Sequence, residues 1–255
     1  MHIATASGPL LRMAFSVAVA TVLFPTLSRM ASRRDADGMR GLVGNGMRQI
    51  NLLMIPAMAF LLVLAEPVVR LLFQRGEFKH PATHLVAIAL FWFALSLPFG
   101  GINLLLTRTF FAVQRPWIPT RLAALNIVVD IIVSLVLYRP LGVAGLVIGT
   151  IAANAVMTVL QLHRLRIGLN GRLDLGQTVM ITVRILVASA LLAGVSWGVW
   201  KLLESLLGTS LIAQIVSVGA AGVAGVFVYV QAVLVMHVPE AHQVRRLIQT
   251  QLGRA

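Results

Sequence analysis

The sequence predicts an all-α fold: a polytopic transmembrane helix bundle of about seven spans. Three observations predict it. Of the 255 residues, 58% are hydrophobic and only 11% are charged, whereas a soluble domain carries about 25% charged residues. Mean hydropathy is +0.91. Apolar runs long enough to cross about 30 Å of hydrocarbon recur along the chain, with Lys and Arg in the short segments between them. That distribution also interprets the net charge of +13. Nucleic-acid binding needs cations lined along one soluble face, so no nucleic acid is expected as a partner. The expected partner is the lipid bilayer. Cysteine is absent, which excludes disulfides, Cys-ligated zinc and thiol chemistry.

The elements follow in order. Residues 1–28 hold a first span, Leu10 to Leu27, shortened at its start. A signal peptide is not expected, because no Lys or Arg precedes Arg12 and five Arg follow the apolar run. Met1 is instead expected to begin inside a longer protein, with Met1 to Gly8 replacing or shortening an upstream part. Residues 29–49 read as a cytoplasmic amphipathic loop, its helix weakened by Gly38, Gly41, Gly44 and Gly46. Residues 50–165 form the core lobe, beginning with Ile50 to Phe73, which holds Pro56 and Pro67. Next comes His84 to Val113, where Pro98-Phe99-Gly100-Gly101 predicts a kink that neighbouring helices must satisfy. Trp117 to Tyr138 and Leu141 to Leu162 complete the lobe. Residues 166–236 hold two further spans, Thr178 to Leu203 and Leu211 to Met236, and 237–255 are a polar cytoplasmic tail.

Loop charge sets the orientation. The first, third and fifth connections and the tail carry Arg29, Arg33, Arg34, Arg40, Arg48, Arg115, Arg121, Arg164, Arg166, Arg172, Arg245, Arg246 and Arg254. The second, fourth and sixth carry only Arg75, Lys79, Arg139 and Lys201. Basic loops stay cytoplasmic. The N-terminus is therefore expected outside and the C-terminus inside a bacterial cytoplasmic (inner) membrane. Trp92, Trp117, Trp197 and Trp200 read as interfacial anchors.

An ionisable group inside a span is costly and marks a candidate site. Asp130 falls in the middle of the fourth run, one turn from Asn126, where a short acid cannot snorkel to the interface. The readings open for it are a hydrogen bond to Asn126, protonation, or a functional role. Glu66 and Arg70 share one helix face beside Pro67, as a bend-stabilising pair or a site. Arg70, Arg108 and Arg184 either snorkel or act. Arg12 faces a cavity or the outer interface. Gly145, Gly149 and Ala153 form a small-residue packing face, and Gly222 and Gly225 thin the last span. No His-Glu-x-x-His run, phosphate loop or G-x-S-x-G elbow occurs. The chain therefore reads as a transporter rather than an enzyme, with no metal and no cofactor expected.

Four runs carry a family resemblance. They are Ala20-Thr21-Val22-Leu23-Phe24-Pro25-Thr26-Leu27-Ser28-Arg29; Leu64 to Phe73 with Arg75-Gly76-Glu77-Phe78; Leu106 to Ala112 leading to Pro119-Thr120-Arg121; and Leu141 to Leu146. Their order resembles the MurJ (MviN) family of lipid II flippases in peptidoglycan biosynthesis, over roughly residues 15 to 165. The resemblance implies a fold of the multidrug/oligosaccharidyl-lipid/polysaccharide (MOP) exporter type, similar to MATE transporters. This chain would supply most of the second lobe plus two extra C-terminal helices. It also implies lipid II, or a similar polyprenyl-pyrophosphate glycolipid, as cargo, and an N-terminal lobe missing here, with a separate chain, a homodimer or a truncated gene product as the open accounts of it.

Glu66, Arg70, Arg108 and Arg121 match family positions. The family's Asp-Arg pair before the first run does not, since Ala4-Thr5-Ala6-Ser7 stands there and Arg12 falls elsewhere. Asp130 stands where the family often has Asn. The implied function is transport of a cell-wall precursor by a truncated or split flippase. The alternatives are export of another undecaprenyl-linked polysaccharide unit, or a non-transporting scaffold or inactive remnant.

Overall fold

A computed structural model describes residues 26–33, 35–73, 80–168, 175–208 and 210–238. Among these the regular structure is all helical. Residues 26–32 are helical and are followed by α1 (Ala36–Phe73), α2 (His80–Ala94), α3 (Leu97–Ala112) and α4 (Trp117–Leu141). Then come α5 (Val143–Gly168), α6 (Leu175–Leu207) and α7 (Leu211–Val235). Five of these helices are long and apolar enough to cross a bilayer, or six if α2 and α3 count as one broken span. The first run, Leu10 to Leu27, lies almost wholly outside the described residues.

The chain divides into two compact units. One comprises Met1–Ile50 and Trp92–Thr178, the other Asn51–Phe91 and Val179–Ala255.

Helix α1 joins two segments that the sequence separates. The amphipathic stretch and the run that follows form one helix of 38 residues. Asp35 starts it, its Oδ1 accepting the Gly38 N–H at 2.8 Å, which satisfies one of the orphan donors of the first turn. Gly38 suits that cap because a Cβ there would stand 2.3 Å from Asp35 Oδ2. Gly44 and Gly46 are buried, so packing outweighs the propensity cost that weakens this stretch in the sequence. The helix is kinked. Leu64 has φ −109° and ψ 20°, three residues before Pro67, whose ring and missing N–H disrupt the ladder.

The expected break in the third run lies at Leu95 and Ser96, where the chain bends by 49°. Pro98 falls just after it, in the first turn of α3. There its missing N–H leaves nothing unsatisfied. Helices α4 and α5 form a hairpin turned at Gly142, whose φ of +57° lies in the left-handed region that favours glycine. The expected small-residue face does pack: Gly145, Gly149 and Ala153 are all buried. A Cβ on Gly145 would stand 2.3 Å from the Leu137 carbonyl oxygen, and one on Gly149 2.1 Å from Ser134 Oγ. The opposite face of α4 is open, with Ile127 62% and Leu135 68% exposed, as lipid contact requires.

In the second unit, α1 from Asn51 onward packs with α6 and α7. Leu52, Ile55, Ile181, Ile185, Ala188, Leu192, Tyr229 and Val233 form the core. Tyr229 Oη donates to the Leu52 carbonyl at 2.7 Å, and Asn51 Nδ2 to Thr182 Oγ1 at 2.9 Å. A Cβ on Gly225 would lie 2.1 Å from Ser196 Oγ, so α6 and α7 approach closely there. Ser210 caps α7 by accepting the Ala213 N–H.

Candidate functional site

Six of the seven candidates named from the sequence lie in described helices. Arg12 lies outside the described residues.

Glu66 and Arg70 do meet. Arg70 Nη2 stands 2.6 Å from Glu66 Oε1, while its Nη1 reaches Glu204 Oε1 on α6 at 3.2 Å. One guanidinium thus serves two carboxylates, using the planar fork of donors that suits Arg to the task. Glu204 is invisible to sequence reasoning because it lies 134 residues from Arg70. Its position near the end of an apolar run was the only available signal.

Asn126 and Asp130 lie one turn apart on α4 but take different partners on α5. Asn126 Nδ2 approaches Met157 Sδ at 3.3 Å. Asp130 Oδ1 accepts from Ser134 Oγ at 3.1 Å, and Thr150 Oγ1 lies 3.4 Å away. The bond between Asp130 and Asn126 that the sequence leaves open is replaced by these hydroxyls. The tight packing at Gly149 sets that arrangement, since it brings α5 against Ser134. Hydroxyl donors around a carboxylate are what a helix pair in hydrocarbon needs to retain it.

Arg108 is half-buried on α3, and Arg121 is exposed in the first turns of α4. Arg184, which has a bland snorkelling reading in the sequence, instead donates from Nη1 to the Met236 carbonyl at 3.0 Å. It thereby caps the C-terminal end of α7, where the helix dipole favours a cation.

A polar seam between α3 and α5 escapes the sequence altogether. Asn103 Nδ2 donates to the Asn154 carbonyl at 3.1 Å, and Thr158 Oγ1 donates to Asn103 Oδ1 at 2.8 Å. One turn on, Gln161 Nε2 donates to Thr107 Oγ1 at 3.1 Å. The ascending order on both helices makes α3 and α5 parallel neighbours.

A cleft of about 490 Å³ opens beside the start of α1 and the end of α3. Its Asp35 Oδ1 is committed to Gly38 and its Ser32 Oγ to the Arg29 carbonyl. Among the described residues, no group of three or more His, Asp or Glu is placed to hold a metal.

The chain matches the model of the family described as "Lipid II flippase MurJ" over residues 10–217. The chain belongs to the MurJ family. A probable lipid II flippase MurJ of Synechocystis sp. is 30% identical over 210 residues, covering 77% of this chain and 39% of that protein. A probable low-salt glycan biosynthesis flippase, Agl15, of Haloferax volcanii is 26% identical over 186 residues, 73% of this chain and 37% of that protein. A solved structure of lipid II flippase MurJ in an inward closed conformation is similar, with a TM-score of 0.67 at 21% identity. It covers 94% of this chain and 45% of the longer one. At that identity the likeness shows the fold: an all-α membrane bundle of the MurJ kind. The chain spans less than half the length of each of these proteins.

Proposed function

We propose that this chain is one lobe of a flippase that carries lipid II, a polyprenyl-pyrophosphate glycolipid, across the bacterial cytoplasmic membrane. The observation that carries the reading is the MurJ family match over residues 10–217. It is supported by helices long enough to span a bilayer. Transport of a pyrophosphate headgroup through hydrocarbon needs a cationic cavity, and Arg suits it through bidentate pairing with phosphate oxygens. In this reading Arg12, Arg108 and Arg121 contribute charge to that cavity, and Asn126 and Asp130 line the lobe near it. Glu66 and Arg70 hold the lobe in shape. A second lobe, carried elsewhere than in these residues, completes the cavity, and the two rock to expose it to each side in turn. The N-terminus faces outside and the C-terminus the cytoplasm.

Complementation tests this. In cells depleted of their flippase, the chain expressed with the N-terminal lobe of a longer relative restores growth and lipid II export, whereas the chain alone does not. Rescue by the chain alone removes the need for a second lobe, and failure of both arms rejects the reading. A second cargo has specific support, because one relative is named as a glycan biosynthesis flippase. It is favoured if the paired lobes rescue export of another polyprenyl-linked glycan and not of lipid II.

A further inference from the structure

Three observations in the second unit concern one short segment. The first is the kink of α1: Leu64 leaves helical dihedrals and Pro67 follows within a turn. Beyond it, Ala65 to Phe73 form an arm that lacks an unbroken hydrogen-bond ladder to the rest of α1. The second is that both charged residues of α1's outer end, Glu66 and Arg70, lie on this arm. The third is the division of the Arg70 guanidinium. One nitrogen stays on the arm, 2.6 Å from Glu66, and the other crosses to α6, 3.2 Å from Glu204.

The chemistry of that division matters. If Arg70 paired with Glu204 alone, moving the arm away would strand a guanidinium and a carboxylate at the membrane boundary. Stranding an ion in a poorly hydrated place is what makes breaking such pairs costly. Here Glu66 travels with the arm and keeps Arg70 paired throughout. Glu204 is left behind with its side chain 26% exposed, about as much as that of Arg70 at 25%. Opening therefore leaves one partly exposed carboxylate to be solvated instead of two unpaired charges. Asn51 to Thr182 and Tyr229 to the Leu52 carbonyl tie α1 to α6 and α7 before the kink, while on the arm Ala65 and Val69 are buried by apolar packing.

We propose that Ala65–Phe73 is a hinged arm, held to α6 by a releasable Arg70–Glu204 clasp for which Glu66 is the retained partner. The closed and open positions are two discrete states of one element. Glu204 biases them towards closed and Glu66 towards open. The proposal does not depend on what the protein transports.

The chain has no cysteine, so spin labels are placed freely. In the purified full chain, an arm pair at Leu71→Cys and Leu202→Cys is read by pulsed electron resonance. A reference pair at Leu53→Cys and Val187→Cys reports the bundle before the kink. A swing of about 20° moves position 71 by about 4 Å, given about 1.5 Å of rise per residue from Leu64. Glu204→Gln is expected to shift the arm distance outward by that amount with the reference pair unchanged. Glu66→Gln is expected to narrow the arm distribution at the closed distance. Exchanging the charges, Arg70→Glu with Glu204→Arg in the Glu66→Gln background, restores the closed distance. An unaltered arm distance in Glu204→Gln overturns the proposal. So does an equal change at the reference pair, because Glu204 would then hold the whole bundle and not the arm.

Discussion

Within hydrocarbon an unmet amide or hydroxyl finds no water, so Asn103, Asn154 and Thr158 satisfy one another between α3 and α5. Asn103 is 7% exposed and both donates and accepts. Its replacement by leucine, of similar volume, removes its bonds to Asn154 and Thr158 but leaves Thr158 an acceptor in the Asn154 carbonyl. Bonds of this kind are worth about 0.6 kcal/mol on average in membranes, so Asn103→Leu is expected to destabilise by about 1 kcal/mol. Gln161 differs. It is fully buried, and its Oε1 has no partner among the described residues. Leucine there removes a desolvated acceptor along with one bond, so Gln161→Leu is expected to cost less than Asn103→Leu, or to stabilise. Denaturant titrations of the two variants in the same micelles check the order, and a larger loss for Gln161→Leu contradicts it.

Helix pairs in this chain are set by small residues at two interfaces. On α5, Gly145 faces a backbone carbonyl and Gly149 faces both Ser134 Oγ and its backbone nitrogen. A rotamer change can relieve a clash with a hydroxyl but not with main chain. Gly145→Ala is therefore expected to cost about 1–3 kcal/mol by forcing α4 and α5 apart, with Gly149→Ala close behind. Moving α5 at Gly149 also withdraws Thr150 from Asp130. Among the described residues, nothing lies within 4 Å of where a Cβ on Gly198 of α6 would stand. Alanine there is expected to be neutral or to stabilise by up to about 1 kcal/mol through helix propensity. Thermal unfolding in detergent separates the three. Equal melting temperatures for Gly145→Ala and Gly198→Ala would show that the close approach does not set the hairpin's stability.

At the scale of the molecule, the alternation of arginine between connections predicts one orientation across the membrane. Single cysteines at Ser32, Arg139 and Arg166, all exposed, test it in a chain with no cysteine of its own. A membrane-impermeant thiol reagent added to intact cells is expected to label Arg139→Cys and spare Ser32→Cys and Arg166→Cys until the membrane is opened. The reverse pattern inverts the topology, and uniform labelling removes it. The predicted orientation bears on the proposed clasp as well, because it would put the C-terminal ends of α1 and α6 at the outer surface.

Which described helices are long and apolar enough to cross a bilayer was legible in the residues alone, as were the glycine face of α5 and the family. Transfer into hydrocarbon is a property each residue brings with it, and it accumulates along a run whatever the partners are. The pairing of Glu66 with Arg70 was legible for the same reason, since a helix fixes the geometry of residues four apart. What depends on distant chain was not. Arg70 finds Glu204, Arg184 finds the end of α7, and Asp130 turns to Ser134 and Thr150 instead of Asn126. The glycine-rich start of α1 stays helical because buried packing outweighs its propensity. Only the tertiary structure decides these, because a polar group in a dry interior takes whichever partner the packing of helices brings within reach.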